Sequence, residues 1–379
     1  MSSRPDKAKL PEVALLGPLP PPYGGYASYV MLLRGSVLDE RFGYHIIDTS
    51  HPPLREGIRK PFGLAHLGVR DLWRFWRATR IRSIRLIHVL CAFYPTRRFL
   101  QQAAFFRWAG CRGWKRVYDI RAGGFIEFAE NSPPRVQRRL GEVLQAAEAV
   151  TVEGRPYVGY IEQRWGVRPV LMPSFVSWDE TGGRYNAAEQ PHDGPLRIVF
   201  AGRVAQAKGV VELAEAVAAV HGRADVRLDY VGKVDPDARE AIEKIIYDNS
   251  LHDIIRLWGP QPREQFLQHL ADGDVYALPT YHRTEGHPNA MTEAMAMGLA
   301  VVTCDQGFCA DVVADGAGII VPQRDSDALA QVLEELADAP DRCRRLGDAA
   351  RRRARELFSD GVMLPRWAEL YERLIGDRE

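Results

Sequence analysis

Short apolar runs bounded by turn residues recur along the chain, and between them apolar positions return at helical spacing. Runs at 13–16, 44–48, 86–90 and 116–120 read as strands, as does the start of AEAVTVEGRPYVGYIEQRWG, which continues as a turn and a helix. The stretch 174–195, with Trp178, Gly182 and Gly183 among polar residues, reads as a linker. The same alternation resumes with LRIVF, RLDYVG, IIRLWG and the runs 275–278, 300–303 and 318–321. Helices are expected from near Pro236, from Pro262, from Pro288 to a stop at Gly298, and from Ser326 onward. The arginine-rich 342–355 and the segment 367–374 also read as helices. Repeated strand-then-helix order demands parallel sheets with right-handed crossovers.

The length of 379 residues suits two domains with separate cores. We place them at 1–185 and 186–361, with a helix at about 362–379 returning to the first. At 46% apolar and 26% charged residues the balance is that of a soluble globular protein. The longest apolar runs fall short of the eighteen or so residues of a membrane span, and MSSRPDKAKL carries no signal-peptide core. Cysteines 91, 111, 304, 309 and 343 lack metal spacing and read as reduced thiols, so a cytoplasmic protein is expected. The net charge of +1 hides an asymmetry. Fifteen Lys and Arg stand against Glu56 and Asp71 between residues 54 and 116, giving 15 − 2 = +13 there and −12 elsewhere. Ten aromatics, from Trp73 to Trp114, are interleaved with them. The segment is a solvated basic face, a surface for an acidic glycan, or a peripheral contact with an anionic membrane.

Candidate chemistry gathers where predicted strands meet helices. In TEGHPNAMTEAMAMG, Glu285 falls on a loop and Glu293 on the second turn of the following helix. Side chains lean toward a helix N-terminus, so both carboxylates can serve the space in front of it. From Pro288 to Glu293 the helix rises about 7 Å, close to the separation of two sugar rings joined through a diphosphate. Main-chain N–H groups from Asn289, Ala290, Met291 and Thr292 would hold the phosphates there. Two ordinary surface glutamates on a helix are the plainer account. In AGRVAQAKG, Arg203 and Lys208 lie on a strand-to-helix turn beside Gly202 and Gly209, where parallel sheets bind ligands. GPLPPPYGGYASYV places Gly24 and Gly25 at a helix start, though without the dinucleotide G-x-G-x-x-G pattern. Arg121 follows the strand 116–120 and could bind a phosphate, an acidic acceptor, or a structural ion-pair partner. Asp272-Gly-Asp274 has the look of a metal-binding D-x-D, but it precedes a buried strand and Asp272 reads as a helix end.

Glu, seven residues, Glu, then A-M-A-x-G resembles the donor-sugar signature of family 4 retaining glycosyltransferases. G-R-x-x-x-x-K-G and the proline-rich loop with its Gly-Gly pair resemble the same family. The resemblance implies the GT-B fold, two Rossmann-like parallel-sheet domains facing across a cleft. It implies transfer of a hexose, with retention, from a nucleoside diphosphate sugar to a glycan or lipid-linked acceptor in cell-surface polysaccharide or glycolipid assembly. No cofactor, no metal and no nucleic-acid partner are expected. Arg203 and Lys208 would neutralise the diphosphate, Glu285 would bind donor-sugar hydroxyls and Glu293 the ribose, while Gly24 and Gly25 would close on the diphosphate. The family usually has a His where this chain has Arg121, so no His role is carried over. Two other functions fit part of the pattern: a nucleotide-sugar-binding protein without chemistry, and a sugar-nucleotide epimerase on the same fold. An epimerase would turn over without acceptor.

Overall fold

The computed structural model describes residues 10–19, 25–50, 73–77, 80, 83–91, 93, 96–187 and 194–376. It divides into one unit of Met1–Pro173 with Met363–Glu379, and a second of Ser174–Val362. The first is built on strands β1 (Glu12–Gly17), β2 (Gly43–Asp48), β3 (Ile84–Leu90), β4 (Lys115–Ile120), β5 (Ala149–Val152) and β6 (Val170–Leu171). They pair in parallel in the order β2-β1-β3-β4-β5-β6. The second holds β7 (Leu196–Ala201), β8 (Val226–Val231), β9 (Ile255–Gly259), β10 (Val275–Leu278), β11 (Ala300–Cys304) and β12 (Ile319–Val321). Their parallel order is β12-β11-β10-β7-β8-β9.

The expected α/β architecture with parallel sheets is present in both units. Central strands such as β5, β10 and β11 are buried at every position, because helices cover both faces. Edge strand β9 alternates instead. Among the described residues, the two-residue β6 is the strand that escaped the sequence pattern, being too short for any period.

Residues 174–187, expected as a linker, are packed on the second unit. Tyr185 belongs to that unit's core. Arg351, on the helix Pro340–Leu357, donates to the carbonyls of Tyr185 (2.8 Å), Ala296 (2.7 Å) and Gly182, and its guanidinium lies 5.2 Å from the Trp178 ring centre. The unit boundary therefore falls after Pro173 rather than at 185. At the far end, the helix Asp360–Gly376 buries Trp367 and Tyr371 in the first unit. Trp367 stacks on His88 at 4.7 Å, and Tyr371 meets Phe42 edge-on at 5.3 Å.

The helix Asn289–Met297 is seated by direct backbone contact. Gly298 ends it in the left-handed region at φ +89°, and Gly347 approaches so closely that a Cβ there would stand 2.0 Å from the Gly298 carbonyl oxygen. Gly347→Ala must push two helices apart and should cost about 1–3 kcal/mol, as overpacking does. Gly159, on the helix Arg155–Trp165, has open space around it, so Gly159→Ala should stabilise by about 0.5–1 kcal/mol through helix propensity. Thermal unfolding of both variants checks this; a Gly347→Ala protein as stable as the parent would refute the contact.

Candidate functional site

In the second sheet the strand order reverses between β7 and β10, with β8 and β9 to one side and β11 and β12 to the other. Loops leaving neighbouring strands diverge at such a point and open a crevice beyond their carboxyl ends. Both loops that the sequence singled out leave from here. After β7 the chain passes Gly202 and Arg203, makes a 3-10 turn at Gln206–Lys208, and enters the helix Val210–Val220 through Gly209. After β10 it runs through Thr280, His282 and Glu285 to the helix Asn289–Met297.

The two loops are locked together. Gly209 has φ +74° and lies against the Pro279 carbonyl, where a Cβ would come within 2.0 Å of the oxygen. The Tyr281 amide donates to the Ala207 carbonyl at 2.9 Å. Lys208 Nζ donates to both oxygens of Glu285, at 2.7 and 2.5 Å, and the Thr280 hydroxyl donates to Oε2 at 2.9 Å. Gly307, from the loop after β11, sits against the Glu285 carbonyl.

Glu285 is 6% exposed and Glu293 9%, so neither is the ordinary surface glutamate of the plainer account. From Met291 to Met297 the whole helix is buried, which makes Glu293 a carboxylate within an otherwise uncharged interior run. Its partner is Arg263, at the start of the helix Arg263–Ala271, whose Nη1 lies 2.6 Å from Oε1. Burial raises the Glu293 pKa, and Arg263 only partly offsets it. Pro288 is the N-cap rather than the first helical residue, and no side chain caps this helix. The N–H groups of Asn289, Ala290 and Met291 thus lack intrahelical acceptors, the usual condition for an anion-binding helix start.

Arg203 is 68% exposed at its side chain and held fork to fork by Asp235, with Nε to Oδ1 at 3.0 Å and Nη2 to Oδ2 at 2.8 Å. Burial lowers the His282 pKa, as do the charges of Lys208 and Arg203, against the opposing charge of Glu285. These surroundings favour the neutral form of the imidazole. His287 Nε2 pairs with the Thr292 hydroxyl at 2.8 Å, tying the loop to the first turn of the helix. Asp272 and Asp274 are at the other end of β10. Asp272 caps the helix Arg263–Ala271 and accepts from Gln268, and Asp274 accepts from the Arg197 amide at 2.8 Å.

Arg203, Lys208, Glu285 and residues 289–293 thus belong to one unit and one sheet edge. Thr280, His282, Asp235 and Arg263 join them and were not singled out from the sequence. The first two follow a candidate strand directly, which was signal enough; the other two are brought in by topology. Gly25 opens the helix Gly25–Leu33, and Gly24 lies outside the described residues.

Arg121 belongs to the first unit and to another network. Its Nε donates to Asp119 Oδ2 at 2.7 Å, its Nη2 to the Met172 carbonyl at 2.9 Å, and its guanidinium lies 3.4 Å from the Tyr29 ring centre. Burial pushes the Asp119 pKa up, but Arg121, His88 and Thr151 together bring it below the ordinary value. Of the roles open to Arg121, this geometry favours the structural ion pair.

The fold that carries this edge is GT-B, shared with glycosyltransferases of known structure. Sucrose-phosphate synthase from Thermosynechococcus elongatus superposes with a TM-score of 0.74 at 21% identity, covering 97% of this chain and 100% of that one. Anabaena Alr3699/HepE, in complex with UDP, gives 0.73 at 13% identity over 96% of this chain and 100% of that one. In sequence, the model of the family described as Glycosyl transferases group 1 matches residues 195–339, which span β7 to β12 and every site residue of the second unit named above. The MMP alpha-(1->4)-mannosyltransferase of Mycolicibacterium hassiacum is 30% identical over 273 residues. That alignment covers 70% of this chain but 61% of the relative's length.

The raised Glu293 pKa has a stability consequence. The folded form holds the proton more tightly than the unfolded chain. Stability from this group is therefore full below the ordinary value near 4.3 and is lost as pH rises through the folded value. Glu293→Gln removes that loss, so its unfolding temperature should exceed the parent's at pH 7–8 and the gap should close toward pH 4. A constant offset across that range would mean that the carboxylate carries no such penalty.

Proposed function

We propose that the chain is a retaining glycosyltransferase of the family 4 type, moving a hexose from a nucleoside diphosphate sugar to a glycan or lipid-linked acceptor. The observation that carries this reading is the Lys208–Glu285 pair at the strand-order reversal, beside an uncapped helix start. A cation and a carboxylate held together there suit a ligand carrying a diphosphate next to sugar hydroxyls. The family match over 195–339 and the UDP bound to HepE support it.

In this reading the diphosphate lies against the N–H groups of Asn289 to Thr292, with Lys208 and Arg203 offsetting its charge. Glu285 orients the donor sugar through its hydroxyls, and Glu293 accepts from the ribose. The bond from the anomeric carbon to the diphosphate oxygen breaks as the acceptor oxygen bonds to the same face. The acceptor's proton passes to the departing phosphate oxygen, so no protein base is required. Fixed cations and backbone dipoles stabilise the charge as it develops, which lets the reaction proceed without a metal.

Thermal shift against UDP-, GDP- and ADP-sugars tests donor binding, since a ligand at a hundredfold excess over Kd adds about 2.7 kcal/mol. Lys208→Gln keeps a donor for Glu285 and removes the charge. It should weaken nucleoside diphosphate binding at least about tenfold, as expected for losing a charged hydrogen bond, and leave nucleoside binding nearly unchanged. Glu293→Gln should weaken donor binding by a similar factor. Transfer should survive EDTA; loss restored by a divalent cation would overturn the metal-free mechanism. Equal losses for nucleoside and diphosphate would remove Lys208 from the phosphate site. Turnover of sugar nucleotide without acceptor would favour an epimerase, and binding without transfer or hydrolysis a non-catalytic protein.

A further inference from the structure

The basic segment has a feature that composition alone did not show. Residues 73–77 form a short helix in the first unit whose Phe75 points inward, stacked on Phe105 at 4.1 Å and edge-on to Trp108 at 5.3 Å. That anchor turns Trp73 and Trp76 outward, 54% and 49% exposed. A large aromatic at the surface is ordinary singly, but two on one anchored turn form a patch. Each has an arginine over its ring: the Arg77 guanidinium is 5.6 Å from the Trp73 centroid, and that of Arg80 is 3.7 Å from Trp76. Arg74 is different. Its Nη1 donates to the Asp48 carbonyl at 2.6 Å and pairs with the carboxylate at 3.0 Å, so its charge is used internally.

The neighbouring helix Thr96–Cys111 carries Phe105 and Trp108 and so packs against this turn. Arg97, Leu100 and Arg107 recur at helical spacing on its exposed side, and Leu100 is 42% exposed. From Leu72 to Tyr118 the chain has eleven Lys and Arg and no Asp or Glu. The positive field is therefore undiluted by its own sequence.

We propose that this face of the first unit is a docking surface for an anionic bilayer. Indole rings suit the headgroup zone, where an apolar face and a polar edge are both satisfied, and clustered Arg is drawn to anionic lipid. The paired arrangement brings ring and cation to the surface together. Among the described residues no helix is long and apolar enough to cross a membrane, and the proposed contact is through this surface alone.

The test is flotation of the full chain with vesicles of phosphatidylcholine alone or mixed with phosphatidylglycerol. The chain should float with the mixed vesicles and stay down with the neutral ones. Binding should fall away as salt shortens the Debye length from about 10 Å at 0.1 M to about 3 Å at 1 M. Trp73→Ser with Trp76→Ser, and separately Arg77→Glu with Arg80→Glu, should each weaken binding about tenfold or more. All four side chains are exposed, so unfolding temperature should be unchanged and serves as the folding control. Brominated lipid should quench the parent more than the Trp73→Ser, Trp76→Ser variant. Failure to float on anionic vesicles at low salt overturns the proposal. So does loss confined to the arginine variant, which would mark a generic polyanion contact. Retention on heparin or an oligonucleotide without flotation would likewise reassign the face to an acidic glycan or nucleic acid.

Discussion

The candidate site of the second unit is centred on one interaction, the ion pair between Lys208 and Glu285. The two residues come from the loops that follow the paired strands β7 and β10, and the ion pair joins those loops beyond the end of the sheet. A carboxylate as buried as Glu285 is costly unless it is paired and hydrogen-bonded, and here Lys208 and Thr280 supply three contacts to its oxygens. The close packing of Gly209 on the Pro279 carbonyl brings Lys208 within reach, so backbone shape and electrostatics enforce the same closure.

Glu293 shows the other side of this economy. An apolar residue would suit the interior of the helix Asn289–Met297 better, and Arg263, half exposed, cannot cancel the cost of burying a carboxylate there. A carboxylate whose pKa is raised by burial is expected to cost stability as it ionises. Groups held in this way are expected where a ligand completes the environment, because functional sites are where local rules are broken.

Much of this could be read from the chain. Strands buried on both faces appear as unbroken apolar runs, so eleven of the twelve strands among the described residues were visible and the two-residue β6 was not. Arg203 and Lys208 stood out as cations beside glycines on a strand-to-helix turn, and Glu285 and Glu293 by their spacing about a helix start. Their partners were less legible. Asp235 and Arg263 arrive from loops after other strands, and only the sheet order β10-β7-β8-β9 makes them neighbours. Arg121 carried a clue that could have been used. Asp119 lies two residues earlier on the same strand direction, where alternate side chains share a face, so an internal pair was the simplest expectation. The segment 174–187 resembled a linker because it is polar and glycine-rich, yet it packs through its backbone carbonyls, which composition does not record.

The two units share an architecture and use charge at their strand ends in opposite ways. In the first, the Arg121 guanidinium is enclosed by Asp119, the Met172 carbonyl and the Tyr29 ring, and His88 joins the same carboxylate to the Tyr371 hydroxyl of the C-terminal helix. That network fastens the returning helix to the sheet. Its cation is buried and committed. In the second, Lys208 and Arg203 each have a carboxylate partner but keep 23% and 68% of the side chain exposed. In the function proposed above, an arriving diphosphate would share these cations without a buried pair being dismantled. Pairs of a cation and a carboxylate therefore form an enclosed structural clamp in one unit and partly exposed pairs at the strand ends of the other, and solvent access to the cation is what separates them.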